Sequence, residues 1–112
     1  MAVVTQSFTG TGAGTPPTGV AIKGVANLTL GGTSPVGTVK LEKSYDNGAN
    51  WFDVSLDSSG TLAAWTLAAA TEISVLFEEP ESYQPTTFSF PVLYRANCTA
   101  YTSGTITARI GQ

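Results

Sequence analysis

The sequence predicts an all-β protein: one antiparallel β-sandwich of seven or eight strands, jelly-roll or immunoglobulin-like, over residues 1–112. Apolar and polar residues alternate in several short runs, which is the period of a half-buried strand. Clusters of Gly, Pro, Asn and Asp separate these runs, and no segment has the pattern of a convincing surface helix. A chain of 112 residues is long enough for one modest core.

The clearest element is a hairpin over Val39–Leu56. Asn47-Gly48 suits its turn, because both residues tolerate the positive φ angles of a tight turn. A slightly longer loop is expected, since Ala49 and Asn50 precede Trp51. The first arm alternates between two faces, and in the second arm Phe52, Val54 and Leu56 share one. The first-arm faces are Val39, Leu41, Lys43 and Tyr45 against Lys40, Glu42 and Ser44.

Before the hairpin, Ala2–Thr9 is predicted to be a strand and Gly10–Gly19, rich in Gly and Pro, a loop. A short strand follows at Gly19–Lys23, and another contains Ala26, Leu28 and Leu30. These two segments form one strand if the chain only bends at Gly24. Gly31–Gly37 is predicted to be a second loop, because it combines three glycines with Pro35.

After the hairpin, a turn is predicted at 57–60, followed by an extended or irregular segment at Leu62–Thr71. The alanines of that segment also permit a short helix, but it lacks a charged face. Ile73, Val75 and Phe77 mark a strand. The remaining predictions are a long loop at 78–91, strands at Val92–Ala100 and Gly104–Ile110, and a hairpin turn at Tyr101–Gly104 between them.

The low charge content of the chain limits the classes of partner that it is expected to bind. Only 12% of the residues are charged, and the net charge is −3, with five scattered Lys and Arg residues. A nucleic-acid partner is not expected, because phosphate binding needs clustered positive charge. No apolar run is long enough to span a membrane, and MAVVTQSF lacks the features of a signal peptide. A surface so poor in charge is expected either to be covered by Thr, Ser, Gly and Asn or to lie partly against a partner.

The residues give no sign of catalysis. Histidine is absent, which removes the commonest general base and metal ligand. Cys98 lies in an alternating run and is expected to be a small core residue. The carboxylates available for a glycosidase or a calcium site are expected to be solvated: Asp46, Asp53, Asp57, Glu78, Glu79 and Glu81. We therefore predict no enzyme activity, no cofactor and no metal.

Two segments are candidates for partner contact. Tyr83, Phe88 and Phe90 lie on the proline-rich loop, where they either cap the core or anchor another subunit. Phe8 on the first strand is grouped with them as a candidate partner contact. The Gly10–Gly19 segment is either a flexible loop or an arm that orders on a partner; it lacks the lysine of a phosphate-binding loop.

The hairpin turn carries a recognisable pattern. Ser44, Asp46, Gly48 and Trp51 match the spacing S-x-D-x-G-x-x-W, which resembles the Asp-box hairpin of sialidases and other β-propellers. The resemblance implies a structural role: Ser44 and Asp46 brace the turn, and Trp51 packs beneath it. A propeller shows this motif in several blades, so one copy in 112 residues implies no sialidase activity.

Two stretches resemble small virion proteins of tailed bacteriophages. They are VKLEKSYDNGANWFDVS, at Val39–Ser55, and a run at Tyr94–Gln112 with the pattern Arg-x-x-Cys-Thr-x-Tyr-x-Ser-Gly-x-[IV]-x-x-Arg-[IL]. Together with the small size and the all-β pattern, they resemble the jelly-roll decoration, or cement, proteins of epsilon15-like phage capsids. The resemblance covers about a third of the chain.

The resemblance implies a structural protein on the outside of the virion capsid, assembled in the host bacterial cytoplasm. It would bind the major capsid protein and itself, as a homo-oligomer that is often a dimer, and stabilise contacts between capsid subunits. Two alternatives remain open: a tail or neck structural protein, and a carbohydrate-binding module. In the second, Trp51, Trp65, Tyr83 or Tyr101 would stack on sugar rings.

Overall fold

The computed structural model describes residues 3–55, 62–69, 72–79 and 91–112, and within these ranges all regular structure is β. Every strand pairing is antiparallel, which confirms the predicted fold class. The seven strands are β1 (Val3–Phe8), β2 (Val20–Ala21), β3 (Gly24–Ser44), β4 (Phe52–Asp53), β5 (Ala64–Leu67), β6 (Ile73–Glu79) and β7 (Leu93–Gly111).

Two long strands, β3 and β7, organise the sheet by pairing with each other along most of their length. The first half-sheet contains, in order, β1, residues 105–111 of β7, residues 24–33 of β3, and β6. The second half-sheet contains β2, residues 93–101 of β7 and residues 36–44 of β3, with β4 and β5 on the far edge. Both long strands therefore run through both half-sheets.

The predicted loop at Gly31–Gly37 is wrong, because β3 continues through it. Its pairing with β7 shifts register between Thr33 and Val36, again between Val36 and Gly37, and again between Thr38 and Val39. Such shifts are β-bulges, where extra residues bend a strand without ending it. Pro35 lies inside the first bulge, where the missing N–H of a proline costs no ladder hydrogen bond.

The predicted turn at Tyr101–Gly104 is wrong for the same reason, since β7 also runs through it. Gly104 has a φ of 79°, and a Cβ there would lie 2.0 Å from the carbonyl oxygen of Ser34. A Cβ on Gly32 would lie 2.0 Å from the carbonyl oxygen of Thr105. These glycines are needed where two bulged strands approach each other, so the glycine signal marks a close crossing and not a chain reversal.

The inner faces of the two half-sheets share one hydrophobic cluster, an arrangement consistent with a β-sandwich. Residues of β3 and β7 from both half-sheets contribute, and Phe77 and Tyr94 meet across the core with ring centroids 4.9 Å apart. Cys98 is buried in this cluster, as predicted. The main buried members are Leu28, Leu30, Val39, Leu41, Tyr94, Ala96, Ile106 and Ile110.

The Gly10–Gly19 loop is held against its own chain. Ser7 and Thr15 exchange backbone hydrogen bonds of 3.1 and 3.2 Å on the outer edge of β1. Gly12 and Cys98 do the same, at 2.9 and 2.7 Å, on the edge of β7 in the second half-sheet. The loop thus joins the two half-sheets along one side, and the expectation of a flexible loop or a partner-bound arm is corrected to an intramolecular strap.

Most other elements follow the sequence. The hairpin is confirmed, with Glu42 opposite Asp53 and Lys43 opposite Phe52. Residues 64–67 are extended, as preferred over a helix, and Gly24 bends the chain with a φ of 79°. The predicted loop at 78–91 begins later, because Glu78 and Glu79 belong to β6. The predicted turn at 57–60, Leu56 and residues 80–90 lie outside the described residues.

Candidate functional site

The outer face of the second half-sheet carries a closed network of charges. Lys40 Nζ lies 2.6 Å from Asp53 Oδ1 and 3.3 Å from Glu42 Oε2. Arg95 Nε donates to Glu42 Oε1 at 2.9 Å, and Asn97 Nδ2 donates to the same oxygen at 3.2 Å. The hydrogen bond to Asp53 raises the pKa of Lys40 above its usual value. These groups satisfy one another, so this face offers few free charges to a partner.

The hairpin turn is braced by side chains at both ends. Ser44 Oγ donates to Asp46 Oδ1 at 2.8 Å and accepts from the Gly48 N–H at 2.9 Å. The other half of the turn is closed by Asn50, whose N–H and side-chain amide donate to Asp46 at 2.9 and 2.7 Å. The hydrogen bonds from Asn50 lower the pKa of Asp46 to about 2. The arrangement fixes the turn and leaves Asp46 no evident role in chemistry.

Trp51 is half-buried, and its indole ring is contacted by Arg95 and lies close to Gly19. The Arg95 guanidinium carbon lies 4.1 Å from the ring centroid, which is the geometry of a cation–π contact. Arg95 also donates to the carbonyl oxygen of Pro17, and a Cβ on Gly19 would come within 3.0 Å of the Trp51 ring. Trp51 therefore ties the hairpin to the strap and is not an open stacking platform.

The outer face of the first half-sheet is different in character. It exposes three apolar side chains on three strands: Val3 is 45% exposed, Val25 58% and Leu76 72%. A shallow groove of about 390 Å³ runs between Val25, Leu76 and Gly111, with Arg109 and Gln112 at its rim. A protein surface of this kind, apolar at the centre and polar at the rim, is typical of a contact site for another protein.

The two edges of the first half-sheet are also different. The β1 edge is covered by the strap at one point near its end, because Thr15 takes up the backbone groups of Ser7. At the opposite edge, β6 pairs with β3 on one side, and no described strand pairs with its other side. Leu76 projects from the middle of this seven-residue strand. Among the described residues, one edge is thus paired at Ser7 and the other is available to an added strand along β6.

A buried acid links the two half-sheets near β6. Glu79 is fully buried, and its Oε1 accepts a 2.7 Å hydrogen bond from the Tyr94 hydroxyl. Lys43 Nζ lies 3.8 Å from the same oxygen, whereas Glu79 Oε2 has no hydrogen-bond partner within the described part of the chain. Burial raises the pKa of Tyr94 far above its usual value, with the bond to Glu79 adding to the effect. A cleft of about 620 Å³ opens beside these residues, lined by Lys43, Val54, Phe77 and Tyr94 among others.

The predicted partner contacts have different outcomes. Phe8 is 1% exposed and lies under the strap at Gly14, so its side chain belongs to the core and not to a contact surface. This corrects the grouping of Phe8 with exposed aromatics; the strand alternation places it on the inner face with Val4 and Gln6. Tyr83, Phe88 and Phe90 lie outside the described residues, as does Glu81.

The other aromatic candidates for sugar stacking are partly covered. Trp65 is half-buried and packs against the hydrophobic cluster, and the Tyr101 hydroxyl donates to the carbonyl oxygen of Gly104. Among the described residues no group of three or more His, Cys, Asp or Glu side chains is placed to hold a metal ion. Within the same ranges, no helix is long and apolar enough to cross a membrane.

The sequence analysis did not identify three features of the first half-sheet, two of them buried side chains and one an exposed apolar pair. Glu79 was expected to be solvated with its neighbours, and only its pairing with Tyr94 shows otherwise. The exposed pair Val25 and Leu76 had a visible signal, because both are apolar residues at positions where the strand alternation predicts the outer face. Gln6 had the opposite signal, a polar residue on the inner face of β1.

Comparison with known proteins adds one structural likeness. No protein-family model matches the chain, and no curated protein matches it. Among solved structures, the chain is similar to a mutant of a carbohydrate-binding module of family 29, at 9% sequence identity and a TM-score of 0.45. The similarity covers 97% of this chain and 79% of that one.

Proposed function

We propose that this chain is a non-catalytic structural protein of a phage virion, which binds the outside of the assembled head as a homo-oligomer and stabilises contacts between capsid subunits. The resemblance of Val39–Ser55 and Tyr94–Gln112 to phage virion proteins supports the location. The supporting structural observation is the contrast between the two outer faces. The second half-sheet satisfies its own charges and exposes Phe52 and Leu62 near its β4 and β5 edge. The first half-sheet exposes three apolar side chains on one face, Val3, Val25 and Leu76.

Docking through the first half-sheet follows from this contrast. Burying exposed apolar side chains removes them from water, and each contributes to binding in proportion to its area. A protein that binds only the assembled shell then stabilises that shell by mass action. No reaction is required of it.

The test compares phage heads assembled with and without the chain. Heads that carry it are expected to release their genome at a higher temperature, followed by the fluorescence of a DNA-binding dye. Val3→Lys places a charge on the proposed docking face and is expected to weaken head binding at least about tenfold. The matched control is Thr99→Lys, an exposed position on the second half-sheet, which is expected to bind normally.

Equal thermal stability with and without the chain would contradict the proposal, as would binding to purified tails in preference to heads. Electron microscopy of the virion, with this chain located in the density, separates a head position from a tail or neck position. A glycan array addresses the carbohydrate alternative: strong binding to a sugar, lost on substitution of Trp51 or Trp65, would replace the virion proposal.

A further inference from the structure

The open edge of β6 points to a specific way in which two copies of this chain associate. We infer that β6 pairs with β6 of a second copy, antiparallel about a two-fold axis at Leu76, and so extends the first half-sheet across both molecules. The inference rests on the homo-oligomer in the proposed function and specifies its interface.

The edge of β6 is unpaired among the described residues and is long enough for a second strand. β6 has seven residues, and among the described residues only β3 pairs with it. The other edge strand of this half-sheet, β1, is shorter and already pairs with Thr15 at Ser7. A free seven-residue edge offers a row of backbone donors and acceptors, which a second strand satisfies most directly by joining the sheet.

The outer face of β6 is self-complementary in one antiparallel register. Antiparallel pairing about Leu76 sets Leu76 opposite the partner's Leu76, and Ser74 opposite the partner's Glu78. Val25 is the diagonal neighbour of Leu76 on β3, since Val25 pairs with Glu78 and Asn27 with Leu76. The two most exposed apolar residues of this face, with their symmetry copies, then form one continuous apolar row.

The two neighbouring registers of the β6 pair place charged residues less favourably. Residues opposite each other in an antiparallel pair lie on the same face of the sheet. Because a change of register must preserve this, one strand slides by two residues against the other, and the centre of the pair moves to Val75 or Phe77. Centring the pair on Val75 sets Glu78 opposite the partner's Glu72, which brings like charges together. Centring it on Phe77 sets Leu76 opposite the partner's Glu78. With Leu76 at the centre, Glu78 and the partner's Glu72 are separated along a diagonal of roughly 7–8 Å.

The experiment measures the mass of the full chain in solution across a concentration series, by sedimentation or light scattering, in the absence of phage heads. The wild-type chain is expected to be a dimer that dissociates on dilution. Leu76→Lys removes two apolar side chains from the centre and opposes two like charges, and is expected to raise the dissociation constant at least about tenfold. Leu62→Lys is the matched control, because Leu62 is also exposed and lies outside β6.

The register has its own test. Leu76→Cys places two thiols directly opposite each other, at a Cβ separation of about 4.5–5.5 Å, which mild oxidation is expected to link. Leu62→Cys is the control and is expected to stay monomeric on a non-reducing gel; the native Cys98 is buried and does not interfere. Circular dichroism confirms that each variant retains its β structure.

A monomeric wild-type chain at every concentration, or a dimer whose mass and crosslinking are unchanged by the Leu76 substitutions, would overturn the inference. These outcomes are separable from failure of the proposed function. A monomer that still stabilises heads contradicts the β6 interface and the homo-oligomer, and leaves the stabilising role on the head intact. A Leu76-dependent dimer that fails to bind heads contradicts the proposed function and supports the interface.

Discussion

At the scale of single residues, the buried polar side chains largely determine which parts of the chain pack together. Gln6, Glu42, Ser44 and Glu79 are all buried, and each has defined hydrogen-bond partners. Burying a polar group is costly unless its hydrogen bonds are replaced, so these residues fix which parts of the chain lie together. Ser44 does this locally in the turn, and the other three act between strands.

The Asp46 turn predicts a dependence of stability on pH. Asp46 has a pKa of about 2 in the folded chain against an ordinary value of 3.8. Because the folded pKa is the lower one, the stabilising contribution is fully present above the ordinary value and is lost as the pH falls towards 2. Asp46→Asn is expected to flatten the decline in melting temperature between pH 4 and pH 2. Parallel profiles for the variant and the wild type would contradict this.

At the scale of elements, the two bulged strands decide the architecture. β3 and β7 are paired from Asn27–Gly111 to Ser44–Leu93, and the register shifts near Thr33, Val36 and Thr38 lie where the two half-sheets join. Each long strand contributes an inner face to both half-sheets. The bulges are therefore the feature that lets two strands line both sides of one core.

Glycine at the crossing of these strands is expected to be irreplaceable. Gly104→Ala introduces a Cβ 2.0 Å from the Ser34 carbonyl oxygen at a φ of 79°, so the backbone must move. We expect a loss of at least about 2 kcal/mol in the free energy of unfolding, measured with urea. Gly10→Ala is the control, because a Cβ there meets nothing within 4 Å; its effect is expected to stay within about 1 kcal/mol. Similar losses in both variants would show that the close crossing is not the cause.

At the scale of the whole molecule, three polar connections join the half-sheets on their flanks. The strap pairs with Ser7 in one half-sheet and with Cys98 in the other. Glu79 reaches from β6 to Tyr94. Gln6 reaches from β1 to β7 of the second half-sheet, where its side chain accepts from the Ala96 N–H at 2.8 Å and donates to the Ala96 carbonyl at 3.2 Å. The Gln6 side chain thus makes the hydrogen bonds to Ala96 that a neighbouring strand would make, between the pairing of β7 with β2 and its pairing with Gly12.

Removing the Gln6 amide is expected to weaken the entire fold. Gln6→Leu keeps the size of the side chain but leaves the N–H and C=O of Ala96 buried without partners, at about 1–3 kcal/mol for each group. We expect a loss of about 2–6 kcal/mol in the free energy of unfolding, measured with urea. Gln112→Leu is the control: Gln112 also bonds to backbone, at Lys23 and Val25, but in an exposed position where water replaces the bonds. Equal effects would rule out burial as the reason.

The sequence alone determined the all-β class, the hairpin at Val39–Leu56 and the inner faces of most strands, because alternation and turn chemistry are local properties. The alternation also marked Leu76 as an apolar residue on the outer face of β6 and Gln6 as a polar residue on the inner face of β1. The tertiary structure decided what the glycines and prolines at Gly31–Gly37 and Tyr101–Gly104 do. A glycine permits a turn and a bulge equally well, and only the long-range pairing of β3 with β7 selects the bulge. The tertiary structure also places β6 at an edge of the described sheet, because an edge is defined by which strands lie beside it.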